Sequence, residues 1–123
     1  MAGCILVVSD DPELQEEMRF GVAGDDEIAF ANDALAARNV FATTTPVAVV
    51  VDLRTGNAGG FALTRDMSQD PRLRSIPVVI LIAREQDRWL AKTAGAAAVL
   101  RKPVGGPQLA AAISSLLTAE RPA

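Results

Sequence analysis

Three apolar stretches of this chain end abruptly on polar residues. Cys4 to Val8 runs into Ser9-Asp10-Asp11, Val47 to Val51 into Asp52, and Ala96 to Leu100 into Arg101-Lys102-Pro103. Carboxylates from two such segments, converging with one ammonium, can hold a hard divalent cation. Mg²⁺ takes one or two carboxylates and fills its shell with waters and phosphate oxygens. The same groups suit a phosphoryl group passing to a carboxylate oxygen, since an Asp can be a covalent acceptor and Lys102 would add positive charge. Each residue also has a plain structural use. An Asp after a strand is often a helix cap or turn former, and Lys102 could end a strand with its amine reaching to water. Asp52 is hardest to explain that way, because Val49-Val50-Val51-Asp52 sets a charge against a buried run. The weight lies in the conjunction of all three segments.

The elements that must position these groups follow from the spacing of apolar residues. Cys4 to Val8, Val47 to Val51 and Val78 to Ile82 are continuous apolar runs. Ala96 to Leu100 is a weaker one, and Glu27 to Ala31 reads as an edge strand. Strands apolar on both faces must be covered on both faces, which predicts a parallel sheet between helices. Helical spacing fills the gaps. Asp11-Pro12 reads as an N-cap followed by Pro at the first helical position, with Leu14, Met18 and Val22 on one face. Asn32 or Asp33 caps a second helix with Ala37, Val40 and Phe41 inward. Phe61, Leu63 and Met67 mark a third, which ends before Asp70-Pro71. Glu85 to Thr93 forms a fourth, stopped by Gly95. Pro107 opens the last, with Leu109, Ile113, Leu116 and Leu117 inward. Strand and helix alternate five times, which predicts an α/β domain: a doubly wound, five-stranded parallel sheet over residues 1–123, with its functional groups at the carboxyl ends of the strands.

Composition removes several function classes. The chain has 123 residues, of which 50% are hydrophobic and 22% charged, and a net charge of −3; that is one domain with a real core. With no His, there is no Ser-His-Asp triad and no His-ligated metal. Cys4, the single cysteine, excludes a disulfide framework and a multi-cysteine zinc site. Few aromatics and an acidic balance argue against direct binding of nucleic acid. No stretch reads as a signal peptide or membrane span, so a cytoplasmic protein without membrane contact is expected.

The segments Ile5-Leu6-Val7-Val8-Ser9-Asp10-Asp11-Pro12 and Val49-Val50-Val51-Asp52-Leu53 fall in a telling order. They are followed by Gly60-Phe61-Ala62-Leu63, then Asp70-Pro71-Arg72-Leu73-Arg74-Ser75-Ile76-Pro77-Val78-Val79, then Gly95-Ala96 and Lys102-Pro103. From about Cys4 to Leu117 the chain thereby resembles the receiver domain of two-component response regulators, a (βα)5 flavodoxin-like fold. The resemblance implies that Asp52 is the phosphoacceptor and that Lys102 pairs with it or with its phosphoryl group. It also implies Mg²⁺ held by Asp10, Asp52 and the backbone carbonyl of Arg54, and a cis Lys102-Pro103 bond. The implied phosphodonor is a sensor histidine kinase or phosphotransfer protein, and the implied output is a contact with a downstream effector protein or domain. Such a module is not an enzyme.

Four positions depart from the family pattern. Ser9 replaces the first of two acidic residues, which should weaken Mg²⁺ binding. Asp11 could substitute only through a bulge at the strand end, since alternate side chains face opposite ways. Ile82 stands where the family has a switch Thr or Ser, Val99 where it has a switch aromatic, and Gly56 where a Pro is common in the loop after Asp52. A degenerate receiver, working as a phosphorylation-independent interaction module, is therefore the alternative. A flavodoxin-like or hydrolase enzyme is disfavoured, because the chain has no Gly-x-Ser-x-Gly elbow, Walker loop or phosphate-cradling glycine turn after the first strand; Gly56, Gly59 and Gly60 read as a flexible acceptor loop. The last helix carries no charge from Gln108 to Thr118, and its outward Ala110, Ala111, Ala112, Ser114 and Ser115 make a second copy of the chain a candidate partner; Ala is equally an ordinary helix former.

Overall fold

The computed structural model describes residues 3–21, 27–53 and 59–120. Its strands are β1 (Cys4–Val8), β2 (Glu27–Ala31), β3 (Ala48–Asp52), β4 (Val78–Ile82) and β5 (Ala98–Arg101). The helices are α1 (Pro12–Gly21), α2 (Ala34–Thr43), α3 (Gly59–Gln69), α4 (Arg88–Ala94) and α5 (Gly106–Glu120). All strand pairs are parallel, in the order β2-β1-β3-β4-β5. This is the expected doubly wound sheet. Its order reverses between β1 and β3, and a crevice opens there at the carboxyl ends of the strands.

Alternation along the strands divides the core in two. Leu6, Val8, Val49, Val51, Ile80 and Ile82 face α2, α3 and α4, together with Phe41, Leu63, Met67 and Ala91. Ile5, Val7, Val50, Val79 and Leu81 face α1 and α5, against Leu14, Met18, Leu109 and Ile113. A strand buried on both sides has no position for a polar residue until it ends. Ser9 and Asp52 therefore stand where the apolar runs stop.

The helix boundaries have local causes. The Asp11 carbonyl accepts from Gln15 N, and its side-chain Oδ1 accepts from Glu13 N at 3.0 Å, which starts α1. Asp33, rather than Asn32, caps α2 by accepting from Ala36 N at 2.8 Å. The fourth helix is shorter than expected: Glu85–Asp87 forms a 3-10 turn and α4 begins at Arg88. Gly95 ends it at φ 114°, a left-handed conformation that suits glycine. That cap turns Ala96 N back to Ala91 O, so β5 begins at Ala98 instead of Ala96. β3 is displaced by one residue from the expected Val47–Val51, because Asp52 pairs with Leu81 and Leu53 N donates to Leu81 O. Val22 and Gly56 lie outside the described residues.

Gly59 and Gly60 open α3 and are not part of a loop. Gly60 is there for proximity: a Cβ would lie 2.8 Å from Val51 Cγ1 and 2.5 Å from Leu53 Cδ2. Leu53 can swing away, but the β-branched Val51 is fixed within the core. Gly60→Ala is expected to lower stability by about 1–3 kcal/mol, the usual effect of overpacking, measured as a lower urea midpoint. An unchanged midpoint would mean that α3 can retreat from β3 without penalty. On α5, Ala111, Ser114 and Ser115 are exposed as expected, but Ala110 packs against the core and Ala112 is half-buried. The small-residue face is thus narrower than the sequence suggested.

Candidate functional site

Asp52 is the last residue of β3, and its side chain is fully excluded from solvent. Isolated in that setting its charge would be costly, so its partners matter. Ser9, one residue beyond β1, donates its hydroxyl to Asp52 Oδ2 at 2.8 Å. Lys102, just after β5, places Nζ at 3.2 Å from Asp52 Oδ1 and 3.1 Å from Oδ2. β5 delivers Lys102 to this point: Ile82 pairs with Arg101, and Lys102 N donates to Ile82 O at 2.8 Å. The Lys102-Pro103 bond is cis.

A fourth group completes the cluster. Asp11 Oδ2 lies 2.9 Å from Lys102 Nζ, and Asp11 N donates to Ser9 Oγ at 3.0 Å. The result is a closed ring: Asp52 to Ser9, Ser9 to the Asp11 backbone, the Asp11 carboxylate to Lys102, and Lys102 back to Asp52. Asp11 enters the cluster as a partner of Lys102, not as the substitute for the acid at Ser9 that a bulge would have been needed to supply. The residue leaves the strand and caps α1, and that turn aims its second oxygen at Lys102. The local pattern Asp11-Pro12 marks a cap; nothing in it marks the other carboxylate oxygen as a partner for a residue 91 positions away. Gln15 buttresses the turn by donating its side-chain amide to Ser9 O at 2.9 Å.

The electrostatics follow from this geometry. The bond from Lys102 holds the Asp11 carboxyl below its ordinary 3.8, against the opposing effect of burial. Burial pulls the Lys102 ammonium down, but the Asp11 and Asp52 carboxylates outweigh it and raise the group above its ordinary 10.5. Lys102 is therefore a fixed positive charge at neutral pH. Two carboxylates around one ammonium leave a net negative charge, which favours a further cation.

Asp10 is exposed and lines a narrow cleft with Ser9, Asn32, Asp33, Asp52 and Gly60. The cleft holds about 20 Å³, room for a single water-sized occupant. Its charged side chains are all carboxylates. Among the described residues no three acidic, His or Cys side chains converge to cage an ion. The carboxylates of this cleft suit Mg²⁺, which takes one or two carboxylates and keeps its waters. Arg54, whose carbonyl was the third expected ligand, lies outside the described residues.

Ile82 and Val99 sit in the core facing α4, at 0% and 8% exposure. Neither brings a hydroxyl or a ring to the cluster. The family model of the response regulator receiver domain matches residues 5–114. The chain belongs to this family. As a receiver domain it is a signalling module of two-component systems, and its five-stranded parallel fold is the family's. The receiver is 28% identical over 121 residues to the response regulator Rre1 of Synechocystis, covering 95% of this chain and 52% of Rre1. It thus spans about half the length of that relative. It superposes with a TM-score of 0.85 on the signal receiver domain of a signal transduction histidine kinase from Syntrophus aciditrophicus, at 26% identity, covering 96% of this chain and 92% of that one. The receiver domain of the sensor histidine kinase PA1611 from Pseudomonas aeruginosa, described with a magnesium ion coordinated in its active site cleft, is similar in fold. It matches at a TM-score of 0.80 and 22% identity, covering 96% of this receiver and 99% of that chain. Among the described residues of this receiver, no helix is long and apolar enough to cross a membrane.

Proposed function

We propose that this receiver accepts a phosphoryl group on Asp52 from a phosphohistidine of a sensor histidine kinase or phosphotransfer protein. It then signals through protein contacts with an effector, in the cytoplasm and without itself binding nucleic acid. The observation that carries this reading is the Asp52 carboxylate, buried at the crevice between β1 and β3 with an ammonium 3.1 Å away. One Asp52 oxygen attacks phosphorus, an O–P bond forms as the P–N bond breaks, and the electron pair leaves on the imidazole nitrogen. Lys102 offsets charge on the transferring oxygens, and Ser9 holds the carboxylate by Oδ2. Mg²⁺ held by Asp10, Asp52 and the Arg54 carbonyl would supply further charge neutralisation.

The test is intact mass after incubation with Mg²⁺ and a small phosphodonor. The wild-type chain is expected to gain one phosphoryl group and Asp52→Asn none. A wild-type chain that stays unmodified would overturn the acceptor reading and leave a phosphorylation-independent interaction module. A second copy of the chain remains a candidate partner for the exposed Ala111, Ser114 and Ser115.

A further inference from the structure

The cluster contains one group that the acceptor chemistry does not call for. Asp11 binds the ammonium at 2.9 Å, closer than either Asp52 oxygen at 3.1 and 3.2 Å. Its other oxygen accepts from Glu13 N at the start of α1. The carboxylate is thus anchored at one end and holds Lys102 at the other. An ammonium has three hydrogens to donate, and here they are divided between the acceptor and a helix cap.

We propose that Asp11 is a positioning residue that restrains Lys102, so that the ammonium must give up its bond to the α1 cap in order to follow a phosphoryl group on Asp52. The inference rests on the reading of Asp52 as acceptor. A phosphoryl group extends beyond the carboxylate, so the ammonium that neutralises it must move outward. Asp11, fixed by its bond to Glu13 N, cannot travel with it. The bond that is lost joins two charged groups, the stronger class of hydrogen bond. Part of the interaction between Lys102 and the phosphoryl group is therefore cancelled by the loss of Asp11. The rearrangement is felt in the first turn of α1, away from Ile82 and Val99.

Asp11→Asn isolates the effect. Asn has nearly the same shape and caps helices as well as Asp, but it removes the charge that holds Lys102. Beryllofluoride with Mg²⁺ serves as the phosphoryl mimic, and its affinity is measured by calorimetry in wild type, Asp11→Asn, Lys102→Gln and the double variant. Asp11→Asn is expected to bind about tenfold more tightly than wild type, and this gain is expected to vanish in the Lys102→Gln background. A gain of equal size in both backgrounds would mean that Asp11 only repels the anion through space, and would overturn the proposal. In wild type the Glu13 and Gln15 amide NMR signals should move on binding as Lys102 leaves Asp11, whereas in Asp11→Asn they should stay near their unbound positions. Measurable binding with equal affinity in wild type and Asp11→Asn would overturn the proposal while leaving the acceptor reading intact. No binding by any variant would sink both.

Discussion

Lys102→Met is expected to lower the stability of the receiver by about 3 kcal/mol, a large share of the roughly 5–15 kcal/mol that holds a domain of this size. The Asp52 side chain is fully excluded from water and faces the ammonium with both oxygens, at 3.1 and 3.2 Å. Removing the amine leaves a buried carboxylate with the Ser9 hydroxyl, a neutral donor, in place of its counter-charge. Lys102 itself is 23% exposed, so water can partly replace it, which puts the effect at the low end of the range for a broken buried pair. Asp52→Asn is expected to do much less, because Lys102 keeps Asp11 at 2.9 Å. Combining the two substitutions should restore most of the stability lost in Lys102→Met alone. Urea unfolding of the four proteins measures the cycle. Equal midpoints for wild type and Lys102→Met would show that the ammonium does not compensate the buried charge.

The second large effect concerns the output side. Beryllofluoride is expected to leave the amide NMR signals of residues 83–101 nearly unmoved in wild type, and to shift them widely in an Ile82→Thr, Val99→Tyr double variant. The receiver family has a Thr or Ser hydroxyl at the first position and a ring at the second. Ile82 is fully buried at the end of β4, and Val99 packs in the same cluster facing α4. Ile82 offers a phosphoryl group methyl groups, which remove water without returning a hydrogen bond, at a cost of about 1–3 kcal/mol. A two-state element moves only as far as the ligand prefers one state, and with that bond missing little preference remains. Large shifts across the segment in wild type, matching those of the repaired variant, would sink the idea of an impaired switch on this face.

These expectations bear on how signal could leave the molecule. The route through Ile82 and Val99 lacks its polar and aromatic parts. The ring through Ser9, Asp11 and Lys102 supplies a different connection, from the acceptor to the first turn of α1. The replacement of an acid by Ser9 is part of that connection, because a hydroxyl can donate to Asp52 while accepting from Asp11 N, and a carboxylate can only accept.

The sequence by itself determined the class of fold and the identity of the acceptor candidate. Val49-Val50-Val51 reads as a strand covered on both sides, and a charge directly after it needs a solvated or paired end, which marks Asp52; its role as acceptor is what the match to the receiver motifs implies. Asp11-Pro12 and Asp33 mark helix starts through chemistry that reaches no further than three residues. Tertiary structure decided the rest. The β5 boundary moved because the Gly95 cap claims the Ala96 amide, a competition that apolar spacing does not record. Ala110 lies at the margin of the face that carries Ile113 and Leu117, and the packing of α5 against α1 and the sheet puts that margin under cover. The bond between Asp11 and Lys102 joins residues 91 positions apart. It exists because β1 and β5 end on the same side of one parallel sheet, and the α1 cap turns the carboxylate toward the crevice. Local sequence sets backbone geometry; which two charges meet is set by the strand order that brings their chain segments together.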